Sequence, residues 1–197
     1  MRKRHGLASV VLVFISAFAA CVFGQAHPAP CALDLDQAPT VRGLKLGMTS
    51  GEVQSKGFDW VGGILTPDKF GVRSATVLFS QNQDLKGVLA VQLEFVDETL
   101  ASIHIQYEQQ ADIFPTGDKF AEQIKQTLRL PSVGWTPVGT ESYSALKGQK
   151  LTCHGFTLTA GLLVFQPVLH MDSTLHQAIV AQRVAEDKKH RIDSFKP

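Results

Sequence analysis

Val88-Leu89-Ala90-Val91-Gln92-Leu93-Glu94-Phe95-Val96-Asp97-Glu98-Thr99-Leu100-Ala101-Ser102-Ile103-His104-Ile105-Gln106-Tyr107 is the stretch that decides the fold. Leu89, Val91, Leu93 and Phe95 alternate with Ala90, Gln92 and Glu94. After Asp97-Glu98-Thr99 the alternation resumes, with Ala101, Ile103, Ile105 and Tyr107 set against Ser102, His104, Gln106 and Glu108. Side chains on a strand point to opposite faces in turn, so period-two patterning means one dry face and one wet face. Two such runs joined by a short polar break predict an antiparallel hairpin.

Upstream, Gly43-Leu44-Lys45-Leu46-Gly47-Met48-Thr49-Ser50-Gly51-Glu52-Val53-Gln54-Ser55-Lys56-Gly57 reads as a strand end, a turn and a short helix. Thr49 and Glu52 have capping-box spacing, in which each side chain takes up the other's free backbone N–H. Gly57 can supply the left-handed residue that ends the helix. Phe58 to Phe70, with Trp60, Gly62, Gly63 and Pro67, reads as a loop that packs aromatics, and Val72 to Phe79 as a strand.

Downstream, Phe120, Ala121, Ile124, Thr127 and Leu128 form one stripe of a helix over 118–130, stopped by Pro131. Trp135 and Pro137 are placed in a loop after it. Lys150 to His170 is expected to form a second hairpin, with a bulge at Gly155, its turn at Gly161 and Pro167 on an edge strand. Asp172 and Ser173 are expected to cap a last helix running to about Lys188. The class is α+β: a twisted antiparallel sheet with helices packed on one face.

The chain begins with a different kind of segment. Arg2-Lys3-Arg4-His5 precedes a nearly unbroken apolar run from Leu7 to Phe23, and Gly24-Gln25-Ala26 follows with small residues. That is the layout of an export signal over residues 1–26, with cleavage after Gly24 or Ala26. An uncleaved anchor is the alternative, since the run sits at the lower limit for spanning a bilayer. A second alternative makes Cys21 in Phe18-Ala19-Ala20-Cys21 a lipidated terminus. Membrane association is expected only if the leader is retained or Cys21 is lipidated. The protein is otherwise expected to be exported, periplasmic or secreted.

The 197 residues fit a leader, an extended arm over 27–40 and one domain over 41–197. Pro28, Pro30 and Pro39 argue for an extended arm, and Leu33 and Leu35 alternate with Asp34 and Asp36 in the pattern of a short edge strand. Of 19 lysines and arginines, Arg2, Lys3 and Arg4 lie in the leader, leaving 16 basic against 18 acidic residues. No clustered positive surface is indicated, so no nucleic-acid partner is expected. Cys21 leaves with the leader, and Cys31 and Cys153 remain. In an oxidising compartment these two predict a disulfide; a buried Cys153 beside a free Cys31 is the alternative.

The Gly47-Met48-Thr49, Glu52-Val53 pattern, with Leu46 before it and Gly57 after, resembles the G-M-T-x-x-E-V start of bacterial envelope modules. These are the SmpA/OmlA-type and β-lactamase-inhibitor-like families. The resemblance implies a short helix packed on an antiparallel sheet, in exported proteins that bind other proteins. Most of the remaining chain is similar to a group of secreted bacterial proteins. That likeness is carried by Ala38-Pro39-Thr40-Val41-Arg42-Gly43-Leu44, Leu130-Pro131 before Trp135, Leu151-Thr152-Cys153-His154-Gly155-Phe156, and Phe195-Lys196-Pro197.

No G-x-S-x-G, phosphate loop, G-x-G-x-x-G, H-E-x-x-H or C-x-x-C motif occurs. No cofactor, metal ligand or catalytic residue is assigned. Glu52 is accounted for by its cap, Trp60 and Trp135 by plugging a core, and His170 with His176 as a surface pair at a helix start. The expected function is a noncatalytic module binding a protein or envelope component. Its candidate face is the wet side of the first hairpin: Gln92, Glu94, Ser102, His104, Gln106 and Glu108. The alternative is a hydrolase-like enzyme assembled from dispersed residues such as His104, His154 and Asp172.

Overall fold

The computed structural model describes residues 31–58, 66–78, 86–109, 113–139 and 145–194. The expected leader over 1–26, Trp60 and Phe79 lie outside them. Among the described residues no helix is long and apolar enough to cross a membrane.

The elements in chain order are α1 (Ser50–Ser55), β1 (Val72–Leu78), β2 (Val88–Val96), β3 (Thr99–Tyr107), α2 (Gly117–Thr127), β4 (Trp135–Val138), β5 (Leu146–Thr152), β6 (Phe156–Leu163), β7 (Gln166–Ser173) and α3 (Thr174–Ser194). The strands form one seven-stranded sheet in the order β1-β2-β3-β7-β6-β5-β4. Every neighbouring pair is antiparallel. The architecture is α+β, as the alternation predicted. The last strand in sequence lies at the centre, where it joins β1-β2-β3 to β6-β5-β4.

The dry face of the sheet carries Leu93, Phe95, Ile103, Ile105, Leu151, Leu158, Ala160, Leu169 and Met171, all buried. Phe120, Ala121 and Ile124 of α2 close over it from above β5 and β6. Val41, Leu44, Leu46 and Val53 complete the same core from the lead-in to α1. That lead-in extends the sheet: Gly47 N–H donates to Leu100 O at 2.9 Å, and Leu100 N–H donates to Met48 O at 2.7 Å. The capping box forms, with Glu52 N–H donating to Thr49 Oγ1 at 3.2 Å and Thr49 N–H donating to Glu52 Oε2 at 2.7 Å. Gly57, at φ 80°, closes α1 by donating to Gln54 O.

Several expectations change, each for a local reason. α2 ends at Thr127, before Pro131, because Arg129 turns left-handed at φ 53°. Leu130 N–H then donates to Lys125 O and Arg129 N–H to Gln126 O, the pairing of a Schellman motif. Trp135 and Pro137 belong to the edge strand β4, where a missing N–H costs no ladder bond. Trp135 Nε1 donates to Pro131 O at 2.8 Å.

The second hairpin is β6–β7, and its turn is Val164-Phe165, with both residues at positive φ. Gly161 lies inside β6 opposite Gly148, where a Cβ would stand 2.4 Å from Lys147 O. This glycine therefore serves close backbone approach, and it is the turn that bears the strain. Pro167 sits on the central strand β7 rather than on an edge. It is tolerated because the β3–β7 ladder stops at Gln106 and Val168, one residue short of it.

Leu89, expected in the dry phase, is exposed because the register shifts between Val88 and Ala90. Leu35 to Gln37 forms a 3₁₀ turn rather than an edge strand. Cys31 and Cys153 form the disulfide, with Cα atoms 4.3 Å apart. Gly155 N–H donates to Leu33 O beside it, so the arm is fastened to the β5–β6 bend.

Candidate functional site

The face of the sheet opposite α2 is polar along two rows, whereas the row through Ala90, Gln106, Val168 and Gly161 is largely apolar. Register places its side chains in rows that cross the strands. One row runs Thr76, Gln92, His104, His170, Thr159, Lys150 and Thr136, touching all seven strands. The next runs Ser74, Glu94, Ser102, Asp172, Thr157 and Thr152. Five of the six residues expected on the wet side of the first hairpin belong to the β2–β3 ladder. Gln92 pairs with His104, Glu94 with Ser102, and Gln106 with Ala90, whereas Glu108 lies just past β3. Gln92, Glu94 and Glu108 are exposed, His104 and Gln106 half-buried, and Ser102 is buried.

The rows meet at a cluster that sequence inspection did not assemble. The His104 and His170 rings face one another across β3 and β7 with centroids 5.3 Å apart. His170 Nε2 lies 3.0 Å from Asp172 Oδ1 and 3.1 Å from Ser102 Oγ. The signal was present, since His170 and Asp172 are two apart and share a strand face. It was missed because Asp172 was assigned to a helix cap. Asp172 instead lies within β7, and Ser173, the last residue of that strand, caps α3 by accepting from His176 N–H at 3.4 Å. His176 Nδ1 also meets Ser173 Oγ at 2.8 Å, whereas His170 Nε2 meets Ser102 and Asp172, so the two histidines make separate contacts.

The electrostatics follow from these contacts. The Asp172 hydrogen bond raises the His170 pKa above the ordinary imidazole value, outweighing burial. Burial raises that of Asp172, but the His170 hydrogen bond and charge, with help from Ser102 and Lys150, leave it below the usual carboxylate range. Burial lowers the His104 pKa, and the neighbouring His170 charge lowers it further. These shifts favour the charged forms of His170 and Asp172, which hydrogen-bond each other, and the neutral form of His104.

Its chemistry is limited by the use of one nitrogen. A Ser–His–Asp relay needs the carboxylate on one ring nitrogen and the hydroxyl on the other. Here Nε2 meets both partners. A proton held between Nε2 and Asp172 leaves no free base for the Ser102 hydroxyl. His154 lies elsewhere, on the β5–β6 bend, with Nδ1 against Asp34 Oδ1. His104, His154 and Asp172 are thus not brought together. Among the described residues no three His, Cys, Asp or Glu side chains converge as metal ligands do.

α3 crosses one end of this face. A groove of about 320 Å³ lies between them, lined by Val72, Glu94, Val96, Ala101, Ser102 and Asp172 from the sheet and by His176, Gln177, Val180 and Ala181 from α3. The row through Gln92, His104 and Lys150 contributes nothing to that lining. A separate cleft of about 470 Å³ opens beside Phe165 and the first turn of α2, with Asp118 and Lys147 as its charged groups.

No family model, curated protein or solved structure matches this chain.

Proposed function

We propose that this chain is a noncatalytic binding module. It takes a protein or another envelope component on the polar sheet face through Gln92, Glu94, His104, Gln106 and Glu108. The observation that carries this reading is the unbroken polar row across seven strands, from Thr76 through His104 and His170 to Thr136. A rigid sheet presents amides, hydroxyls and imidazoles at fixed 4.7–4.9 Å spacing, typical of neighbouring strands. Such groups can hydrogen-bond a partner without a dry apolar interface. An exported setting is part of the proposal, supported by the Arg2-to-Ala26 leader and by the Cys31–Cys153 disulfide.

A hydrolase is the second reading, favoured by Ser102, His170 and Asp172 lying within hydrogen-bond reach. Sharing of His170 Nε2 and burial of Ser102 weigh against it. The test is the Glu94→Lys, Glu108→Lys double variant. Partner capture from the native compartment should fall while the melting temperature holds. Recovery of the same partners by the double variant would contradict the proposal.

A further inference from the structure

α3 is 21 residues long, yet none of its residues is buried. Its inward stripe, His176, Ile179, Val180, Arg183 and Asp187, is only half-buried, and Leu175, Val184 and Ile192 are exposed. Helices in folded proteins are normally held by an apolar face sunk into a core. This helix rests over a groove instead and must be held by other means.

Two attachments are visible. At its start, Thr174 N–H donates to Gly155 O at 3.2 Å and Thr174 Oγ1 donates to His154 O at 3.0 Å. That bend is itself fixed by the Cys31–Cys153 bridge. Further along, Arg183 donates to both Asp97 oxygens, at 3.0 and 2.6 Å, and to Phe70 O at 2.8 Å. One turn later Asp187 Oδ2 accepts from Lys69 Nζ at 2.6 Å. Gly71 leaves the room for this contact, since a Cβ there would stand 2.7 Å from Arg183 Nη1 and 2.8 Å from Asp97 Oδ1. The contact is shaped into the β1 and β2 ends rather than left to chance on a surface.

We propose that α3 is a hinged strap, pinned at Thr174 to the disulfide-tied bend and latched by Arg183 and Asp187. It lifts from the sheet face while the sheet stays folded. Solvent-exposed ion pairs hold weakly and are screened by salt, and segments with few buried apolar contacts open more cheaply than the whole domain. Lifting uncovers Ser102, Asp172 and the apolar groove wall of Val72, Val96 and Ala101, enlarging the face on which binding is proposed. The strap does not depend on that binding, because its opening is read without a partner.

Hydrogen exchange followed by mass spectrometry on the oxidised full chain tests this. Exchange over 176–190 should be several-fold faster in about 1 M NaCl, where the screening length is roughly 3 Å, than in about 0.01 M, where it is roughly 30 Å. Amides of β3 and β7 should not change. Arg183→Gln and Asp97→Asn should each reproduce the fast α3 exchange at low salt. Lys188→Gln, which removes an exposed charge from the same helix, should not. α3 amides exchanging only as fast as those of β3 would overturn the strap. Equal α3 exchange in the parent and in Arg183→Gln would overturn the latch.

Discussion

Reduction of the Cys31–Cys153 bridge should cost this domain a large part of its stability. The bridge closes a loop of 122 residues. The chain-entropy relation gives about 5 kcal/mol at 25 °C for a loop of that length. For a domain of this size each kcal/mol moves the melting temperature by ~2–4 °C, so a fall of roughly 10–20 °C is expected. Partial loosening of the arm alone would reduce the figure. That loosening is opposed by buried Ala38 and Val41, and by Leu33 and Leu35 packed against the core. Reduction is a cleaner perturbation than substitution, because both sulfurs sit in buried positions and keep their volume. The assay is thermal unfolding by circular dichroism with and without a phosphine reductant, with the thiol count checked by alkylation. A fully reduced protein melting within about 2 °C of the oxidised one would refute the reasoning. The cross-link would then not constrain the unfolded chain as argued.

Thr49→Ala removes the hydroxyl that caps α1 and should cost about 1 kcal/mol, a few degrees in melting temperature; an unchanged melting curve would show that the cap carries no stability. The three cluster groups predict opposite pH slopes. His104 has a depressed pKa, so acidification below about 6.5 opposes folding, and His104→Gln should gain on the parent between pH 7 and pH 5. His170 has a raised pKa, so its contribution is fully present below about 6.5 and fades as pH rises through its folded value. His170→Gln should therefore lose most against the parent at the acid end. The depressed Asp172 contributes above about 3.8 and is lost as pH falls through its lower folded value. Parallel stability-versus-pH curves for parent and variants would contradict these assignments. If residues 1–26 act as an export signal, intact mass of the protein recovered from its host should correspond to a start at Gln25 or His27, and a mass retaining Arg2 to Phe23 would contradict cleavage.

What was legible in the sequence was whatever depends on neighbours along the chain. The Thr49–Glu52 cap and the Gly57 stop are local patterns and formed as expected, as did the β2–β3 hairpin apart from Leu89 and the α2 stripe through Phe120, Ala121 and Ile124, with Thr127 exposed. The disulfide was legible by elimination, since with Cys21 assigned to the expected leader only Cys31 and Cys153 remain. What could not be read was set by partners distant in sequence. β7 takes the central place because β3 offers it an unpaired edge, and nothing near Pro167 signals that. Gly161 looks like a turn residue until Gly148 is placed against it. His170 and Asp172 form a pair only once β7 is extended through Ser173. The coverage of Ser102 depends on where α3 comes to lie, which is decided by Asp97 and Lys69, about 90 and 120 residues away in sequence.

The binding reading is tested most directly by a photo-crosslinking residue placed at Gln92, in the open polar row, and at Glu122, on the outer side of α2 as a control. Both variants would be expressed with their leader and irradiated in the native compartment. The account predicts a discrete cross-linked species from position 92 and none from position 122. Absence of a species from position 92, or the same species from both positions, would contradict it.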